Sequence, residues 1–152
     1  MISDQEIIDK ASSIHNRLWP EEDLDQPKGN SLAKEIHDLW QNHCRGYTGI
    51  EVEYRTSDIN GQKLDVFNKL SKSAFELKVS GKNLNHEVYK DICKAATHNL
   101  TYPENKIARL YFISVRKYID ALNRNFSILL KDSFKVNYGV EIKFQSIDQI
   151  VV

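Results

Sequence analysis

With 152 residues and 41% apolar content, the chain can bury one hydrophobic core and is too short for several independent ones. Its 21 basic and 21 acidic side chains cancel, so no overall basic field marks it as a nucleic-acid binder, and any charged surface must be local. No window approaches the roughly 18 apolar residues of a membrane span. Met1-Ile2-Ser3-Asp4-Gln5-Glu6 lacks the basic-then-apolar pattern of a secretory signal, so a cytoplasmic protein is expected.

In chain order, Ser3 and Glu6 stand at capping-box spacing, and Ile7, Ala11, Ile14 and Leu18 recur at helical period. They predict a helix from Ser3 to Leu18, stopped at Trp19-Pro20, with an acidic loop through Glu21 and Asp25 beyond it. A second helix starts with Asn30 or Ser31 as its cap and turns Leu32, Ile36, Leu39, Trp40 and His43 to one face, ending near Gly46 and Gly49. Three strands follow: Ile50 to Arg55, Lys63 to Phe67 after an Asn60-Gly61 turn, and Ala74 to Val79. Leu84, Val88, Ile92, Ala96 and Leu100 then mark a third helix, and Lys106 to Val115 the most hydrophobic and central strand. Ser114 is the expected cap of one long helix with Tyr118, Ile119, Leu122, Phe126 and Leu129 inward; a last strand covers Val140 to Phe144, followed by a short apolar tail. The expected fold is α/β (α+β): one domain, residues 1–152, with a mixed sheet flanked by helices. Cys44 and Cys93 lack metal-ligand spacing and are read as buried free thiols inside helices; the five histidines show no zinc pattern.

The chemistry concentrates in Leu64-Asp65-Val66-Phe67, a turn, and Ala74-Phe75-Glu76-Leu77-Lys78-Val79. Alternation puts Phe75, Leu77 and Val79 on one face and Glu76 and Lys78 on the other, and hairpin pairing brings Asp65 toward Glu76. Two carboxylates and an ammonium are what phosphodiester hydrolysis uses. Carboxylate oxygens hold Mg²⁺, the ion acidifies a bound water and polarises the phosphate, and the lysine orients or deprotonates the water and offsets developing charge. Glu-x-Lys also occurs at Glu104/Lys106 and Glu141/Lys143, but only Glu76 has both a rigid apolar strand and an aspartate at hairpin distance.

These residues, in this order of elements, resemble the PD-(D/E)XK nuclease superfamily, whose core is a helix, a three-strand meander, a helix and a fourth strand (αβββαβ), with the first helix and the C-terminal part as decoration. The resemblance spans residues 30 to 115, and Leu64 stands where the motif has proline. It implies a restriction-endonuclease-like core, with Asp65 as the aspartate, Glu76 as the second acid, Lys78 as the lysine, and the backbone carbonyl of Leu77 in the metal shell. Many members carry another acid on the helix before the meander, for which Glu35 is the candidate and Glu51 and Glu53 weaker alternatives. The implied cofactor is Mg²⁺, with Mn²⁺ as substitute. Ser80, Lys82 and Asn83, with His86, Lys90, Lys94 and His98 spaced four apart down the third helix, form a candidate phosphate-binding row. Tyr47, Tyr54 and Tyr89 are available to stack on bases. The expected activity is a metal-dependent endonuclease acting on DNA ahead of RNA, with a homodimer as the form suited to two-fold sites. A toxin-type ribonuclease with an inhibitor or immunity partner, and a non-catalytic binding module, are the alternatives.

Overall fold

The computed structural model describes residues 1–19 and 30–147; the acidic loop expected around Glu21 to Asp25 and the apolar tail expected at the C-terminus lie outside them. Helix α1 (Asp4–Leu18) begins as its sequence dictates: the Ser3 hydroxyl accepts from the Glu6 N–H, and the Glu6 carboxylate accepts from the Ser3 N–H. Ile7, Ile8, Ala11 and Ile14 are buried, and the indole of Trp40 on α2 (Asn30–Arg45) donates to the Ile7 carbonyl at 3.0 Å, locking the two helices together.

Strands β1 (Ile50–Arg55), β2 (Lys63–Asn68) and β3 (Ser73–Lys78) form the expected antiparallel meander. Helix α3 (Leu84–Thr101) crosses over to β4 (Arg109–Val115), which runs parallel to β3, and β5 (Glu141–Ile147) runs parallel to β4. The sheet order is β1-β2-β3-β4-β5, so β3 is the middle strand and β4 its interior neighbour. The described residues thus build a five-stranded mixed sheet with five helices.

Alternation along β4 divides the core. Tyr111 and Ile113 face α1 and α2 with Ile36, Trp40, Val66, Phe75 and Leu77; Leu110 and Phe112 face the other layer with Leu64, Phe67, Val88, Ile92, Ile119 and Leu122. Tyr111 is partly buried; each fully buried aliphatic or phenylalanine side chain among the rest contributes about 1.5–3 kcal/mol. No described helix is long and apolar enough to cross a membrane.

Four expectations are corrected. Ser114 does not cap a helix: it is buried in β4 and its hydroxyl donates to the Lys78 carbonyl. The single long helix is two, α4 (Arg116–Asn125) and α5 (Ile128–Tyr138), because Ser127 restarts the chain as an N-cap, accepting from the Leu129 N–H at 3.1 Å. Leu129 is consequently exposed rather than inward, and Leu100, in the last turn of α3, is exposed as well. Cys44 is buried as expected, but Cys93 lies on the exposed face of α3.

Candidate active site

Where β2 and β3 part, their backbone pairing gives way to side chains. The ladder pairs Asn68 with Ser73, Phe67 with Ala74 and Val66 with Phe75, and extends no further. At the next position the Asp65 N–H donates to Glu76 Oε1 at 3.1 Å, and the Leu77 N–H donates to Asp65 Oδ2 at 3.0 Å. Two amides that the ladder leaves unmatched are satisfied by two carboxylates, which the fork therefore holds side by side.

Strand β1 takes part in the same distortion. Glu53 has φ 50°, a left-handed conformation that costs a non-glycine residue about 1–3 kcal/mol. Val52 and Tyr54 on either side of it pack into opposite layers, as do Leu64 and Val66 on either side of Asp65. Both strands thus switch faces at one point, flanked by the pairs Val52–Val66 and Tyr54–Leu64, which sets Glu53 opposite Asp65.

Helices from both layers reach this point. From α2, His37 Nε2 lies 3.0 Å from Asp65 Oδ1, while the Gln41 amide donates to Glu53 Oε1 and to the Asp65 carbonyl, each at 2.9 Å. Lys78 Nζ lies 3.2 Å from Glu76 Oε2 and 2.5 Å from Asp91 Oδ2, on α3. The other Asp91 oxygen faces Lys94 Nζ at 2.7 Å, and Lys94 also donates to the Lys63 carbonyl at 2.9 Å. A chain of alternating charge, Lys94–Asp91–Lys78–Glu76, runs from α3 into the fork.

Burial would raise the Asp65 pKa, but the hydrogen bond and charge of His37, the Lys78 charge and the Leu77 amide hold it below the ordinary carboxylate value. Glu76 behaves oppositely. Burial and the neighbouring Asp65 charge push it well above the ordinary range, with Asp91 adding to the effect and Lys78 opposing it. Burial disfavours the Lys78 ammonium, yet Glu76, Asp91 and Asp65 outweigh burial and raise its pKa, so it stays protonated at neutral pH. His37 is likewise raised: burial opposes its charge, and Asp65, Glu53 and Asp38 favour it.

Asp65, Glu76 and Lys78 are therefore brought together. Leu77 places its N–H in the fork, although its side chain packs with the α1/α2 layer. Glu35 does not join them. It is exposed, and the side of α2 that meets the carboxylates carries His37 and Gln41, one turn apart; two residues from His37, Glu35 is rotated about 200° away. Glu51 pairs with Lys69 at 2.6 Å, whereas Glu53 is at the fork.

The expected basic row is only partly present. His86 and Lys90 are exposed, with Lys90 on Glu87 at 3.3 Å; Lys94 is drawn inward to Asp91; His98 is buried, within 2.9 Å of the Tyr54 hydroxyl. Tyr54 is thereby engaged beside Phe67, while Tyr47 and Tyr89 are exposed. Ser80, Lys82 and Asn83 line a cavity of about 440 Å³ together with Lys34, His37 and Lys78, next to the carboxylates.

His37, Gln41 and Asp91 are the site residues that sequence reading did not select. Asp91 carried a signal: it falls among Val88, Ile92 and Ala95 on the apolar stripe of α3, where an unpaired charge is prohibitively costly. His37 and Gln41 carried none, because their one-turn spacing has meaning only once the fork is known. No protein-family model, curated protein or solved structure matches the chain.

Proposed function

We propose that this protein is a metal-dependent nuclease that hydrolyses phosphodiester bonds, with DNA as the preferred substrate ahead of RNA. The observation that carries this reading is the β2–β3 fork, in which Asp65, Glu76 and Lys78 converge through bonds to the strand amides themselves. Support at the scale of the fold comes from the order α2-β1-β2-β3-α3-β4 around that fork. That order is the one the resemblance to a PD-(D/E)XK core implies, a helix, a meander, a helix and a strand, and β4 runs parallel to β3.

Mg²⁺ suits the pair formed by Asp65 and Glu76. Each of their four oxygens makes one contact inside the site, to His37, the Leu77 amide, the Asp65 amide or Lys78, and a carboxylate oxygen has a second lone pair to give. Bound there, with the Leu77 carbonyl as a further oxygen donor, the ion would supply Lewis acidity toward a phosphoryl oxygen and an acidified water. The chain's own groups do the rest. Asp65, kept ionised by His37 and Lys78, is a ready ligand for a cation. Lys78 acts as a fixed positive charge beside the scissile phosphate and not as a base, since its pKa is raised. Ser80, Lys82 and Asn83 on the cavity wall hold the adjoining phosphates.

The test is incubation of purified protein with plasmid DNA and with total tRNA, with and without Mg²⁺ or Mn²⁺, beside Glu76→Gln and Lys78→Ala. Metal-dependent cleavage that falls by at least about a hundredfold in each variant is expected. Cleavage of tRNA alone assigns an RNA substrate. No cleavage of either polymer by folded wild-type protein overturns the reading.

A further inference from the structure

We infer that the cavity beside the fork holds one unpaired nucleotide, so that single-stranded DNA, or a base turned out of a duplex, is the substrate ahead of intact double helix. This rests on the nuclease reading and names the form of its substrate. The Asp65 and Glu76 side chains are only 17% and 2% exposed, and that of Lys78 17%. A phosphodiester therefore meets them from the 440 Å³ cavity, whose wall includes His37 and Lys78, the groups in contact with the two carboxylates. That volume takes a ligand of small-molecule size, which one nucleotide matches and a stacked base pair with its two backbones does not.

The wall of the cavity divides into two kinds of surface. Lys78 and Lys82 supply positive charge for phosphates, and Lys82 is exposed and in no ion pair among the described residues. The carboxylate of Glu87 is offset by Lys90 at 3.3 Å, so the wall does not repel a polyanion. Phosphate binding leaves the rest of the wall unaccounted for. Ala33 reaches the cavity from α2, Leu77 from β3, Val79 from just beyond it and Leu84 from the first turn of α3. Paired bases stay stacked inside a duplex, where such an apolar surface has nothing to bind. An unpaired base offers it a flat apolar face, and offers its polar edge to the Asn83 side chain, which makes no cap bond to α3. Duplex DNA is then cut where it opens, at bulges or under negative supercoiling.

The experiment measures the anisotropy of a fluorescein-labelled DNA strand with the full chain in EDTA, and its cleavage in Mg²⁺ or Mn²⁺. The strand is presented alone, annealed to its complement, and annealed with one unpaired nucleotide bulged out. The wild type is expected to bind and cut the single and bulged strands at least about tenfold better than the fully paired one. Ala33→Phe fills the apolar wall and Leu84→Asn makes it polar; each is shown to be folded by circular dichroism. Both should lose that preference, whereas Lys82→Ala should weaken binding of all three forms alike. Equal binding and cutting of the three forms by the wild type, binding of none, or a preference that survives in both folded wall variants overturns the inference. Cleavage in any of those cases leaves the nuclease reading standing. A wall-dependent preference in a protein that cuts no strand with either metal sinks the nuclease reading and leaves the nucleotide pocket in place.

Discussion

At the scale of single residues, Asp91 is the most informative group outside the expected set. It is fully buried, yet each of its oxygens faces an ammonium, Lys78 on one side and Lys94 on the other. Among the described residues, Glu76 would otherwise be the one carboxylate in contact with Lys78, at a looser 3.2 Å. Asp91 thus positions the cation that the proposed chemistry places at the phosphate. Asp91→Asn is expected to lower kcat more than tenfold with KM little changed, and to cost about 2 kcal/mol of stability. Steady-state kinetics beside urea unfolding checks both, and an equal fall in kcat for Asp91→Asn and a remote variant of equal stability would assign Asp91 a purely structural role. The cysteines give a second residue-scale prediction. Burial pushes the Cys44 thiol up to about 12, whereas Cys93 is exposed. Titration of the native protein with a disulfide reagent should therefore show one fast thiol, removed by Cys93→Ser, with Cys44 reacting only on unfolding.

At the scale of elements, the fork depends on how the segments around it end. The β3–α3 connection passes through Gly81 at φ 67° and Asn83 at φ 52° before α3 begins. The Tyr118 ring of α4 lies directly over Gly81: a Cβ there would come within 2.2 Å of Tyr118 Cζ. Gly81→Ala should destabilise the protein by at least about 2 kcal/mol, from a left-handed φ and the ring clash together. Adding Tyr118→Ala should remove the clash part, giving a measurable coupling in a double-mutant cycle. Most elements were legible in the sequence, because the capping box at Ser3, the alternation of Ile50 to Arg55 and the four-residue period of α3 are local patterns. The division between α4 and α5 was not. Ser127 reads as an ordinary helix residue until the N–H of Leu129 is seen to bond to it. Similarly, Asp65, Glu76 and Lys78 were legible because hairpin spacing and alternation suffice to gather them. Glu35 was misjudged because helical rotation was referred to the apolar face and not to the fork that α2 meets.

At the scale of the whole molecule, the two layers carry buried imidazoles that tie stability to pH. His15 on α1 is buried and stacked on Trp19 with ring centroids 5.6 Å apart, and its burial lowers its pKa. His98 on α3 is lowered by burial too, against a raising bond from Asn99. The unfolded chain binds protons at these positions more readily than the native state does. Their contribution is therefore complete above the ordinary imidazole value of about 6.5 and is lost as pH falls below it. His37 and Glu76, both raised, contribute with the opposite sign, so the readout is a difference. Between pH 7 and pH 5 the urea midpoint of His15→Phe should rise relative to that of the wild type. An identical slope in the variant would exclude His15 as a source.

The sequence by itself determined the helices and strands from α1 to β4, the meander that precedes a crossover helix, and the meeting of Asp65 with Glu76 and Lys78. All of these follow from periodicities and pairings that act within a few residues to a hairpin's length. Only the tertiary structure decided what surrounds that trio. Glu53 reaches Asp65 because β1 and β2 switch faces together, at a strained residue that local propensity disfavours. His37 and Asp91 arrive from helices on opposite sides of the sheet, 54 positions apart in the chain. The position of Asp91 on an apolar stripe marks it as buried and paired, but which groups it and His37 meet depends on the packing of two layers against one sheet, and no local pattern names those partners.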